Sequence, residues 1–132
     1  MIGLDTNILL RLFLQDDPGQ SEKVAALLKQ LPEIGPGYVS CITLMEFAWF
    51  LRRRIRLSRD DVMEGISDML DSQDIQLEDE HIVELTLAEM TRSNAEFADV
   101  FIALRNRDAG CITTKALDAK AAKRIPAMEL LS

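Results

Sequence analysis

Short apolar runs alternate with helix-length segments along this chain, and that alternation is the feature that most restricts its fold. Residues 2–4, 38–42, 75–77, 111–114 and 128–131 are brief apolar runs bounded by turn or capping residues, and they read as strands. The segments between them carry helix signals. Asp17-Pro18 with Gln20 supplies a cap, a proline suited to the first helical position and a capping-box partner for a helix over 18–31. Residues 43–54 are apolar on nearly every side and predict a deeply buried helix. Ser58 with Asp61 opens another, residues 79–91 form the next, Ser93 with Glu96 opens a further one ended by Gly110, and 118–123 makes a short last helix. Strand–helix alternation at this spacing predicts a parallel α/β sandwich of about five strands flanked by helices.

The 132 residues suffice for one hydrophobic core, and no repeat, low-complexity tract or Gly/Pro/Ser-rich linker divides them, so a single domain over 1–132 is expected. No run is long enough for a membrane span, and the N-terminus is patterned as a strand rather than a signal peptide. Two widely spaced cysteines, Cys41 and Cys111, do not make a disulfide scaffold, and they fit a cytoplasmic location.

A net charge of −7 excludes the uniformly basic nucleic-acid binder. The charge is unevenly placed, however. Residues 58–99 hold 13 acids and two bases, while the remainder carries a net charge of +4, with bases gathered at 52–56 and 105–124. That basic remainder is either a solubilising surface or the flank of a site that receives a phosphate backbone. Arg52, Arg53 and Arg54 are candidates for gripping RNA, although basic residues also suit a helix C-terminus electrostatically.

Four acids stand apart from the rest. Asp5 closes the first strand, and ligands of open α/β sheets collect beyond the carboxyl ends of strands. Asn7 could cap a helix starting at residue 8 and hold the Asp5 carboxylate. Glu46 falls within the most apolar helix, where a buried carboxylate needs a proton or a cation; Thr43-x-x-Glu46 is also a capping box. Asp99 lies among Phe97, Ala98, Val100 and Phe101 in a first helical turn, three residues after Glu96, which competes as the capping partner of Ser93. Asp118 follows the fourth strand and can equally be an N-cap. In a parallel sandwich these positions fall at one edge of the sheet. An all-oxygen set suits Mg²⁺ or Mn²⁺ rather than zinc, for which the lone His81 and distant cysteines offer nothing. No Gly-rich phosphate loop, nucleophile elbow or Cys–His pair is present.

Ile2-Gly3-Leu4-Asp5-Thr6-Asn7, Glu46 on an apolar helix, Phe97-Ala98-Asp99-x-x-Ile102-Ala103 and Asp118 near a C-terminal strand together resemble the PIN-domain ribonucleases, above all the VapC-like toxins of toxin–antitoxin pairs. The resemblance covers essentially the whole chain. It implies a three-layer sandwich, Mg²⁺-dependent cleavage of RNA phosphodiesters with Mn²⁺ as a substitute, a homodimer, and an antitoxin that occludes the active site. It matches Asp5, Glu46, Asp99 and Asp118 to the family's four acids in order. Asp5 and Asp99 are then direct metal ligands, while Glu46 and Asp118 ligate directly or through water, or orient the attacking water. One position departs from the pattern: Ala116-Leu117-Asp118 stands where members carry a hydroxyl residue two positions before the last acid, and Thr114 is a possible replacement. Two alternatives stand beside this one. A phospho-accepting receiver domain has similar length and acidity, and a non-catalytic PIN-like module would serve protein interaction. Trp49 is either a core residue or a hot spot for a partner.

Overall fold

The computed structural model describes all 132 residues. Its contacts gather into two compact units, Met1–Glu78 and Asp79–Ser132.

The first unit contains β1 (Ile2–Gly3), α1 (Thr6–Leu14), α2 (Pro18–Ile34), β2 (Gly37–Val39), α3 (Cys41–Arg53), α4 (Arg59–Asp71) and β3 (Ile75–Leu77). The strands form one parallel sheet in the order β1-β2-β3, with Ile2 opposite Gly37 and Gly37 opposite Ile75. Parallel neighbours need long crossovers, and here a pair of helices supplies each one. Asp17 caps α2 as expected, accepting from the Gln20 amide at 3.1 Å. The helix nevertheless runs three residues beyond 31, through Pro32, and stops at Gly35, whose φ of 106° favours glycine. Ser58 caps α4 through the Asp61 amide at 3.0 Å.

The expected second strand is shorter than predicted. Ser40 accepts from the Thr43 amide at 3.2 Å and starts α3 at Cys41, so Cys41 and Ile42 are helical. Thr43 is therefore not the cap, and the Thr43/Glu46 capping box does not form. Nor is α3 buried all round. Leu44, Phe47, Ala48 and Leu51 make its core face, while Ile42 is 74% and Trp49 55% exposed, so Trp49 is not a core residue. Phe47 meets Phe13 of α1 edge to face, with ring centroids 5.8 Å apart.

The second unit contains α5 (Glu80–Arg92), α6 (Phe97–Asp108), β4 (Thr114–Ala116), α7 (Ala119–Arg124) and β5 (Met128–Leu130). Helices α5 and α6 pack together, and Ile82, Val83 and Met90 of α5 and Val100, Phe101 and Leu104 of α6 are buried. The buried Thr86 hydroxyl is satisfied by the Ile82 carbonyl at 2.7 Å. Strand β4 pairs in parallel with β5, Thr114 opposite Met128. It lies three residues beyond the expected start at 111, because Cys111 and Ile112 are exposed and continue the turn that follows Gly110. Ser93 does not cap α6. It ends α5, donating to the Glu89 carbonyl at 3.1 Å, and Glu96 takes the N-cap position with no side-chain cap bond.

The architecture is an α/β sandwich type, parallel sheets flanked by helices, with the five strands hydrogen-bonded as a ladder of three and a ladder of two. No helix is long and apolar enough to cross a membrane.

Candidate active site

Asp5 stands where β1 ends and α1 begins. The Thr6 amide donates to Asp5 Oδ1 at 2.8 Å, so Asp5 itself is the N-cap of α1. Asn7 does not cap the helix as expected, because α1 starts two residues earlier than residue 8, at Thr6. Asp5 is exposed while Leu4 before it is buried, which aims the carboxylate outward from the sheet end.

Glu46 comes to the same place from α3. Thr6 Oγ1 donates to Glu46 Oε1 at 3.2 Å, bridging residues forty positions apart. Packing of α1 against α3 makes this possible: Leu9 and Leu10 of α1 and Leu44 and Phe47 of α3 are buried, while Glu46 is left exposed. Glu46 is exposed, so the desolvation argument for a bound proton or cation does not apply to it. The sequence pattern placed Glu46 correctly in an apolar helix but not on the solvent face, since a helix rich in apolar residues can still leave one side open.

In the second unit, Asp99 is half-buried in the first turn of α6, between the buried Phe97 and Val100. The Phe97 and Phe101 rings stack one turn apart, with centroids separated by 5.4 Å, and anchor that turn. Asp118 is the N-cap of α7: Oδ1 accepts from the amides of Lys120 at 2.9 Å and Ala121 at 3.2 Å. Ala116 ends β4. Thr114 lies on the same face of the strand, two residues earlier, but its hydroxyl accepts from Asn106 Nδ2 at 3.0 Å and ties β4 to α6.

The basic run after α3 divides by role. Arg52 is half-buried and donates through a terminal guanidinium nitrogen (Nη1) to the Leu57 carbonyl at 3.3 Å, closing the loop into α4. Arg53 and Arg54 are exposed at the helix end, where positive charge also complements the helix dipole.

Residue composition alone did not single out Glu78. It follows β3 and accepts from the Cys41 amide, the first of α3, at 2.8 Å, while the Cys41 thiol donates to the Glu78 carbonyl at 3.7 Å. Ligand-type atoms of Cys41 and Glu78 lie within 4.8 Å of one another, with Asp79 next in the chain. This thiol and carboxylate set could in principle coordinate a divalent cation. Its signal in the sequence is the acid immediately after a strand, the same signal that marks Asp5.

Oxygen donors brought together from separate elements are what a hard divalent cation requires. Asp5 and Glu46 each use one carboxylate oxygen for Thr6, which leaves the second oxygen of each available. Comparison with curated proteins gave no match. The family model for the PIN domain matches residues 2–124, from the first strand to the last helix. The chain therefore belongs to the PIN-domain family.

Proposed function

We propose that this protein is a Mg²⁺-dependent endoribonuclease and the toxin of a type II toxin–antitoxin pair. The observation that carries the nuclease reading is the Asp5–Thr6–Glu46 arrangement at the end of β1, in a chain of the PIN family. Asp99 and Asp118 complete the proposed acid set, and the family match running through both compact units supports treating 1–132 as one domain.

A phosphodiester is an anion that a group of carboxylates repels, so the site needs positive charge before it can receive RNA. Asp5 and Asp99 would hold Mg²⁺, or Mn²⁺ in its place, with Glu46 and Asp118 ligating or orienting water. When bound, the ion supplies neutralisation of the phosphoryl oxygens and a lowered pKa for a coordinated water. The protein's own part is to fix the carboxylates: Asp5 and Asp118 by helix-capping bonds, Glu46 by the Thr6 hydroxyl. Arg53 and Arg54 would draw in the RNA backbone, whereas the loop contact of Arg52 favours a structural role. Homodimerisation and a small antitoxin that directs an Arg or Lys at the acids belong to the same proposal, since a guanidinium fork matches a carboxylate.

A non-catalytic interaction module is the second reading, favoured by Ala116 in place of a hydroxyl residue and by the exposed Ile42 and Trp49. Membership of the PIN family leaves the receiver-domain alternative without support. The deciding experiment is cleavage of a mixed-sequence RNA by the purified chain with Mg²⁺, with EDTA, and with Asp5→Asn. Cleavage that needs Mg²⁺ and is lost in the variant supports the nuclease. No cleavage under any condition supports the interaction module.

A further inference from the structure

We infer that Thr6 is a positioning residue that holds the two acids of the first unit in one arrangement. The inference rests on the nuclease reading above and deepens it. Thr6 contributes two donors in different directions. Its amide holds Asp5 Oδ1 at 2.8 Å, and its hydroxyl holds Glu46 Oε1 at 3.2 Å. One residue thus restrains two carboxylates that come from different elements.

The hydroxyl bond is not a local helix feature. A threonine in a first helical turn usually bonds within its own turn or to water, but this one reaches across to α3. No other hydrogen bond in the structure restrains the Glu46 side chain, so without Thr6 it would turn freely on an exposed helix face. The β-branched side chain has few rotamers, which keeps the hydroxyl in place. Behind it, the edge-to-face contact of Phe13 and Phe47 fixes how α1 lies on α3. With one oxygen of each acid held by Thr6, the other oxygens are presented to a cation or to water without reorganisation. Groups that orient metal ligands in this manner typically change metal affinity by about 10- to 100-fold when removed.

Thr6→Val deletes the hydroxyl and keeps the amide that Asp5 needs; Thr6→Ala gives the same deletion if valine disturbs the helix start. Thr6→Ser restores the donor. Mn²⁺ and Mg²⁺ are titrated calorimetrically into the full chain for the wild type, these variants, Glu46→Gln and Thr6→Val/Glu46→Gln. RNA cleavage is measured alongside. Thr6→Val is expected to weaken Mn²⁺ binding about tenfold and to lower kcat more than it changes KM, with Thr6→Ser close to wild type. The double variant should bind no more weakly than Glu46→Gln alone, because the hydroxyl then has no anion to hold. Wild-type affinity in Thr6→Val, no rescue by serine, or losses that multiply in the double variant each overturn the positioning role. A wild-type chain that neither binds Mn²⁺ nor cleaves RNA overturns the nuclease reading itself, a failure visible before any substitution is made.

Discussion

The capping role of Asp5 and its proposed role as a metal ligand can be separated by substitution. As N-cap of α1 it accepts from the Thr6 amide; as a proposed ligand it contributes charge. Asparagine caps a helix about as well as aspartate, whereas alanine loses the acceptor at a cost of about 0.5–2 kcal/mol. For a chain of 132 residues, 1 kcal/mol corresponds to about 3–4 °C in Tm. Without metal, Asp5→Ala should therefore melt about 2–7 °C below wild type, and Asp5→Asn should stay within about 1 °C. Metal adds a second effect that treats the two variants alike. Mg²⁺ at ten times its Kd stabilises the folded state by about 1.4 kcal/mol, or about 5 °C, and this rise should shrink in both variants because both lack the charge. Thermal melts by circular dichroism, with and without Mg²⁺, read both effects from one set of samples. An undiminished Mg²⁺ response in Asp5→Asn would refute the ligand role, and a metal-free Asp5→Asn as unstable as Asp5→Ala would refute the capping argument.

Phe47→Ala should cost about 3–5 kcal/mol in chemical denaturation, since the ring is fully buried and supports α1 through Phe13; a loss below 1 kcal/mol would mean that the core between α1 and α3 closes without it. Gly37→Ala should destabilise by about 1–3 kcal/mol in the same assay, because an added Cβ would lie 2.6 Å from the buried Leu4 side chain; an unchanged midpoint would show that Leu4 can move aside. Arg53→Gln with Arg54→Gln should weaken RNA binding and reduce its salt dependence by about 0.7 per lost phosphate contact. Arg52→Gln should instead lower the melting temperature through the Leu57 carbonyl contact; fluorescence anisotropy across a salt series and a thermal melt distinguish the two outcomes.

Local chemistry made much of this protein legible from its residues alone. Asp17-Pro18 and Ser58 start helices because the Asp17 and Ser58 side chains each accept from the amide three residues on, a bond that needs nothing distant. The short apolar runs at 75–77 and 128–130 are strands because they are bounded on both sides by turns and caps. Motif and spacing named Asp5, Glu46, Asp99 and Asp118 as candidates, and the structure links Asp5 and Glu46 through Thr6. Capping choices were harder where several side chains compete. Ser40 displaced Thr43 as the cap of α3, and Glu96 rather than Ser93 stands at the start of α6, each moving an element boundary by two or more residues. What only the tertiary structure decided is which face of a helix meets water and which distant groups meet. Helix α3 is apolar on most sides, so periodicity could not say that Glu46 and Trp49 face outward; packing of Leu44, Phe47, Ala48 and Leu51 against their neighbours settled it. The hydroxyl of Thr6 reaches Glu46, and Glu78 reaches the amide of Cys41, across forty and thirty-seven residues of chain, because the parallel strands align the ends from which α1 and α3 start.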